Sequence, residues 1–357
     1  MKVRFYCEIC SACNLQCKYC FEKDYVKKFI NAKELLDFLN VVGDMVEDVV
    51  ITGGEPTLHP DFIEIVQEIA KKFPATVTTN GTTKTAEQLA GLLEKYSALR
   101  VQISLDAANS KIVDYYCGDG VFNAVVATID RLSPYSRQVS VAATPLNQPK
   151  EEIIKLAQYS KERGIGLYFP SLLPYGAVNS NWDALMPSSA EYISVEEGLL
   201  ELIAESTDDI VSSNKIDSIL GRFNAFSAVE AEGSDIVLKI DSSGHLLTCP
   251  ATDYSYMCSR LGNIGEITSI QQMQSALKNY TSCVSADVIG RECAQCPVEA
   301  YCRRVFCGNC IHMKSDRIES IQFLCQTYKH HYLELIAASR ELQGGQDEAS
   351  YSPATDC

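Results

Sequence analysis

The sequence predicts an α/β fold, a partial (β/α)6 barrel followed by a smaller cysteine-rich unit. Three observations carry that prediction. Between residues 3 and 169, short β-branched runs alternate with segments of helical period. The motifs CNLQCKYC (13–20) and GGEP (53–56) follow the first and second of those runs directly. Nine of the 16 cysteines crowd between Cys249 and Cys325.

The elements follow in order. VRFY (3–6) is a strand, and AKELLDFLNVVGDMV (32–46) a helix with one apolar face. DVVIT (48–52) leads to a helix from Pro60, a residue suited to a first turn, with Phe62, Ile63, Ile65, Val66 and Ile69 on one face. TVTTN (76–80), RVQISL (100–105), VSVAA (139–143) and IGLYF (165–169) are four more strands with helical patterns between them. Six βα units imply a parallel sheet with right-handed crossovers, open or curled into a TIM-like partial barrel. Chemistry in such sheets sits at the carboxyl ends of the strands, where both motifs lie. Two helices are expected within 190–227, then a hairpin, IVLKIDSSGHLLTC (236–249), turning at Ser242 to Gly244. The predicted domains are a barrel with bridging helices over 1–230 and a cysteine-rich domain over 235–335, with a polar, disordered tail over 343–357.

A chain of 357 residues, 46% hydrophobic, has ample material for a buried core. The start, MKVRFYCEIC, lacks an apolar signal region, and no uncharged apolar stretch approaches the roughly 18 residues a membrane span requires. A cytoplasmic protein with no membrane partner is expected, and cysteines there serve metal or redox chemistry more than disulfides. The net charge of −15 disfavours nucleic acid, whose phosphates call for excess Lys and Arg.

Cys13, Cys17 and Cys20 pose the central question, because an iron-sulfur cubane takes four thiolates. Three from one loop leave an iron open, as a catalytic metal keeps one position free. Half of a zinc site would want a closed shell and would not explain GGEP one βα unit later. Cys7, Cys10 and Cys117 read as packed thiols.

With an aromatic, Tyr19, before the last cysteine, the motif resembles the CxxxCxxC signature of the radical S-adenosylmethionine (radical SAM) superfamily, and the resemblance extends from residue 3 to about 175. It implies that the open iron chelates the methionine moiety and that cluster reduction cleaves the sulfonium to a 5′-deoxyadenosyl radical. It further implies cofactor contacts at Gly53, Gly54, Glu55 and Pro56, the glycines letting the backbone approach the methionine amino group. Thr79, Asn80 and Gly81, then Ser104 and Asp106, then Asn147, and the segment Pro170 to Leu173 including Leu172, occupy the other cofactor-contacting positions. Catalytic residues stay unassigned, with Asp106, Glu55 and Tyr175 as unranked candidates for a base.

CAQCPVEAYC (293–302) and the cysteines around it resemble the SPASM extension of that superfamily, which binds one or two auxiliary 4Fe-4S clusters. The resemblance assigns Cys293, Cys296, Cys302 and Cys325 to the second auxiliary cluster, and Cys249 and Cys307 to the first. Cys258, Cys283 and Cys310 are candidates to complete the latter, since Ile267 stands where a cysteine is expected. An incomplete first cluster would expose an iron able to bind a substrate thiolate; a zinc ribbon is the other reading of such CxxC pairs.

The implied function is hydrogen abstraction from a peptide or protein, giving a thioether or carbon-carbon crosslink or an oxidised side chain, as in RiPP maturases and sulfatase maturation. A flavodoxin- or ferredoxin-type reductant is implied, with a separate leader-binding protein or no leader at all. A small-molecule dehydrogenase of the aminocyclitol or sugar type is the alternative, and a non-catalytic iron-sulfur carrier a third reading, opposed by GGEP and the polar strand ends.

Overall fold

The computed structural model describes residues 2–20, 27–144, 146–168, 181–204, 236–248 and 260–278, together with Gln326 and His330. Six strands alternate with helices: β1 (Val3–Cys10), α1 (Ala32–Val41), β2 (Val46–Gly53), α2 (Phe62–Ala70), β3 (Ala75–Thr79), α3 (Ala86–Lys95) and β4 (Leu99–Ser104). After β4 come two helices, α4 (Ser110–Cys117) and α5 (Val121–Leu132), then β5 (Val139–Ala142), α6 (Lys150–Glu162) and β6 (Gly166–Tyr168). All six strands are parallel, in the spatial order β6-β5-β4-β3-β2-β1. The predicted α/β barrel half is therefore present.

Period two explains the strands. Phe5, Cys7 and Ile9 are wholly buried, which extends β1 to Cys10, beyond the VRFY that β propensity marks. Val49 and Ile51, Val101 and Ile103, and Val139 and Val141 repeat the pattern on neighbouring strands. Helical faces complete the core; Phe62, Ile65, Val66 and Ile69 of α2 are at most 2% exposed, each burial worth about 1.5–3 kcal/mol. The predicted start at Pro60 moves to Phe62, because Pro56–Leu58 forms its own 3-10 turn and the His59 imidazole accepts the Asp61 amide at 3.0 Å.

The opposite, inner face of the sheet is polar, with Arg4, Tyr6, Glu8, Thr78, Gln102 and Ser104. Tyr6 on β1 and Tyr168 on β6 are five strands apart, about 24 Å in a flat sheet. Yet the Tyr168 phenol is near enough to help burial push the Tyr6 phenol up. The sheet is curled, with its polar side inward.

Beyond the barrel lie α7 (Trp182–Leu185) and α8 (Ser189–Ala204). The hairpin expected to open the second domain, β7 (Ile236–Ile240) and β8 (His245–Leu247), continues the same sheet. β7 pairs in parallel with β1, from Val3 opposite Ile236 to Cys7 opposite Ile240. The turn holds because Gly244 takes φ +78° and the Asp241 carboxylate accepts the Ser243 and His245 amides at 2.8 and 3.0 Å. β9 (Arg260–Asn263) and α9 (Ile270–Lys278) follow, and Ile264, Met273 and Leu277 join the core that contains Leu35 of α1. The barrel and hairpin thus share one hydrophobic core. No helix among the described residues is long and apolar enough to cross a membrane.

Candidate active site

The three-cysteine loop leaves β1 at the carboxyl rim and is seated on the end of β2 by backbone hydrogen bonds and by the Cys10 thiol, which donates to the Glu55 carbonyl at 3.1 Å. Gly54 donates its amide to the Cys10 carbonyl at 2.8 Å, and Glu55 donates to the Ala12 carbonyl at 2.7 Å. A Cβ on Gly53 would stand 2.3 Å from the Cys10 oxygen, and one on Gly54 2.5 Å from the Ala12 oxygen. The glycines of GGEP therefore admit the cysteine loop itself, which gives a local reason for them beyond close approach to a cofactor.

Glu55 is a clamp. Its wholly buried carboxylate accepts the Thr57 amide (3.2 Å) and hydroxyl (2.6 Å), the Thr79 hydroxyl (2.7 Å) and the Asn80 amide (2.7 Å). Burial raises this carboxyl above its ordinary value, and those four bonds oppose the rise. A group so fully engaged ties the end of β3 to the end of β2. Pro56 opens the short 3-10 turn that Glu55 caps.

Asn80 turns that clamp toward the cysteines. Its Nδ2 lies 3.8 Å from Cys13 Sγ and donates to Asn14 Oδ1 at 3.0 Å, while its Oδ1 accepts the Thr82 amide at 3.0 Å. The Leu15 amide also points at Cys13 Sγ, at 3.4 Å. Donors aimed at sulfur suit a thiolate. Cys13, Cys17 and Cys20 are all partly exposed, whereas Cys7 and Cys10 are buried. Burial pushes the Cys7 thiol far up and that of Cys10 to about 12, as inert packed thiols require.

The far wall of the loop is set by β4 and α4. Tyr19 donates its hydroxyl to the Asp106 carboxylate and lies 3.4 Å from Cys117 Sγ. Lys18 donates its amide to the Tyr116 carbonyl at 2.9 Å. Asp106 is 2% exposed, also accepts the Thr144 amide at 2.9 Å, and is pushed up to about 6 by burial. Ser104, grouped with it by sequence, is exposed on the inner face. Asn147 acts here through its backbone, donating to the Leu185 carbonyl at 2.7 Å and accepting the Tyr116 hydroxyl at 2.8 Å. Asn14, Thr57, Thr82, Tyr116 and Thr144 were not legible as site residues; only Asn14, inside the cysteine motif, carried a local signal. Leu172, Tyr175 and Cys249, Cys258, Cys283, Cys293, Cys296, Cys302, Cys307, Cys310 and Cys325 lie outside the described residues, as does 343–357.

The donor set fits a cluster. Among the described residues no three His, Cys, Asp or Glu side chains converge on one ion position. Thiolates that each take a different iron of a cubane need no common centre. A family profile described as the Radical SAM superfamily matches residues 7–164.

The chain carries a radical SAM superfamily domain. Members of that superfamily use a 4Fe-4S cluster and S-adenosylmethionine as cofactors. The chain is 26% identical over 318 residues to the mycofactocin maturase MftC of Mycolicibacterium smegmatis, covering 86% of this chain and 77% of that protein. It is 24% identical over 287 residues to the GTP 3′,8-cyclase of Sulfurimonas denitrificans, covering 75% and 86%. Streptococcus suis SuiB bound to S-adenosylmethionine superposes with a TM-score of 0.66 at 18% identity, over 88% of this chain and 75% of that one. The structure of anSMEcpe with bound AdoMet and peptide gives 0.65 at 18% identity, over 96% and 100%. These likenesses establish the radical SAM fold.

Proposed function

We propose that this radical SAM enzyme abstracts hydrogen from a peptide, leading to an oxidative modification or a thioether or carbon-carbon crosslink. The carrying observation is the backbone seating of the Cys13–Cys20 loop on Gly53 to Glu55, which holds three part-exposed thiols at the open end of a polar-lined barrel. Cys13, Cys17 and Cys20 are the cluster ligands in this reading; the group they hold supplies an electron to the sulfonium of S-adenosylmethionine and so a carbon radical. Asn80 and the Leu15 amide orient Cys13, and Glu55 fixes Asn80. In this reading Ser104, Asn147 and Leu172 are further contacts to the bound cofactor, Ser104 from the inner face.

Burial raises the Cys13 thiol, and interaction with the Cys117 thiol together with burial raises that of Cys17, so loading the cluster releases protons that those groups otherwise hold at neutral pH. The peptide substrate is supported by the maturase relative MftC and by structures of SuiB with its precursor peptide SuiA and of anSMEcpe with a peptide. The cysteines from Cys249 to Cys325 hold one or two auxiliary clusters in this reading, and a flavodoxin- or ferredoxin-type protein is the reductant.

The test is anaerobic reconstitution of the wild type beside a Cys13, Cys17 and Cys20 to Ala triple variant. About twelve irons per chain falling to about eight is expected, at four per cubane. The wild type alone should release 5′-deoxyadenosine from S-adenosylmethionine under dithionite, and a short peptide encoded beside its gene should lose two mass units per modification. An unchanged peptide with turnover on GTP or an aminocyclitol would overturn the peptide reading, and equal iron in both proteins would overturn the ligand assignment.

A further inference from the structure

The cysteine loop is closed at its base by the chain coming back. Ser11 donates its amide to the Lys28 carbonyl at 3.0 Å, the Lys28 amide donates to the Ser11 hydroxyl at 3.1 Å, and Ile30 donates to the Ile9 carbonyl at 2.9 Å. Lys28 is thereby bonded to a residue two positions before Cys13. The turn after β2 meets the same place. Leu58 donates its amide to the Glu55 carbonyl at 3.1 Å, and His59 Nε2 donates to the Ile30 carbonyl at 2.9 Å with the Phe29 ring edge-on at 5.5 Å. Thr83 shares a hydrogen bond of 2.7 Å with Thr57, and Thr82 accepts from Asn14 of the loop at 2.8 Å, which brings Lys84 alongside.

Two properties set this rim apart. Phe29 and Leu58 are 42% and 36% exposed, whereas Phe5, Ile9, Ile51 and Phe62 of the same strands and helix are buried. Lys27, Lys28 and Lys84 are exposed, and their ammonium groups make no ion pair or hydrogen bond among the described residues. Lys33, Lys71 and Lys155, by contrast, each pair with a carboxylate on their own helix. The exposed acid of the same turn is Asp61. On a chain of net charge −15, three unpaired cations beside one anion make a local positive patch. An acidic protein is repelled by the molecule as a whole and drawn in here.

The patch also has the character of a redox contact. Exposed apolar side chains rimmed by charge mark protein contacts, and electron-transfer encounters are small, burying less than about 1,200 Å². Electrons tunnel usefully only over short distances, and this patch is bonded directly to the loop that carries Cys13.

We infer that Lys27, Lys28, Phe29, Leu58 and Lys84 form the docking face for an acidic one-electron carrier protein of the flavodoxin or ferredoxin type. This rests on the ligand assignment and the reductant class proposed above. In the step it serves, one electron leaves the carrier, which is oxidised, and enters the iron-sulfur group held by Cys13, Cys17 and Cys20, which is reduced. No bond or proton moves between the two proteins.

The experiment measures the Kd of the full-length, reconstituted protein for a flavodoxin and for a ferredoxin by calorimetry, at about 50 mM and about 500 mM salt. Wild type is compared with Lys28→Glu combined with Lys84→Glu, and with a control of equal charge, Lys72→Glu combined with Lys161→Glu, whose lysines lie at the ends of α2 and α6 by the opposite rim. The first pair should weaken binding about tenfold at low salt and much less at high salt. The control should stay within about twofold of wild type. Carrier-driven formation of 5′-deoxyadenosine should fall with the affinity, while dithionite, which needs no docking, should drive all three proteins alike. Wild-type affinity in the Lys28 and Lys84 variant, an equal loss in the control, or no binding of either carrier by the wild type would overturn the inference. A wild type that binds a carrier yet forms no 5′-deoxyadenosine under dithionite would instead sink the ligand assignment itself.

Discussion

The cysteine loop is gripped between two buried carboxylates that do their work differently. On the β2–β3 side, Glu55 receives four hydrogen bonds, and the loop meets that wall through main-chain bonds to Gly54 and Glu55 and through Asn14, which bonds Asn80 and Thr82. On the β4–β5 side, Asp106 receives the Tyr19 hydroxyl and the Thr144 amide, and the loop meets Asp106 through one side chain, Tyr19. Burial raises both carboxyls, that of Asp106 to about 6. Side chains can be exchanged one at a time, whereas a main-chain seam tolerates no added atom. The Glu55 wall is thus a rigid seat and the Asp106 wall an adjustable one.

The largest expected effect breaks the rigid seat. In Gly54→Ala the added methyl would meet the Ala12 oxygen at 2.5 Å and the Ser11 oxygen at 2.8 Å, both backbone atoms. Overpacking plus the loss of two backbone hydrogen bonds should cost about 4 kcal/mol. Urea unfolding of the cluster-free chain would register it, and iron per chain should fall with it; a variant of wild-type stability would show that the seam yields.

Next comes the adjustable wall. A carboxyl whose pKa is about 6 when folded and 3.8 ordinarily holds its proton more tightly in the native state. Its stabilisation is complete below the ordinary value and is lost as pH rises through about 6, a change of about 3 kcal/mol. Asp106→Asn, which cannot ionise, should lack this component. The stability difference between variant and wild type should move in the variant's favour by about 3 kcal/mol between pH 3.5 and pH 7. A pH-independent difference would mean that Asp106 ionises without penalty.

Glu55→Gln sharpens the contrast with the smallest effect. One carboxylate oxygen becomes an amide nitrogen that faces a donor, either the Asn80 amide or the Thr57 and Thr79 groups. About 2 kcal/mol should be lost at low pH, and because burial also raises the Glu55 carboxyl the difference should move in the variant's favour as pH rises, as it does for Asp106→Asn. Thermal melts of the two variants over the same pH range would check both trends.

Much of this was legible in the chain. The six strands follow from period-two apolar runs, and the neighbouring placement of the cysteine loop and GGEP follows because both end adjacent parallel strands. What Glu55, Asp106 and Asn147 do was not legible. Sequence places them at strand ends, where a cofactor contact is the natural reading; the structure shows one saturated clamp, one buried anchor and one backbone bridge. The hairpin at 236 was equally hidden as a barrel neighbour, since a β-branched run does not reveal which strand it will pair with.

By itself, then, the sequence determined the strands, the helices and the three-thiol motif, because all depend on local periodicity or on spacing within one loop. Only the tertiary structure decided that Tyr19 would meet Asp106, 87 residues away, and Cys117, 98 residues away. Contacts of that range are fixed by sheet register and by where α4 stops. Those are set by how the whole core packs, and no single stretch of chain encodes them.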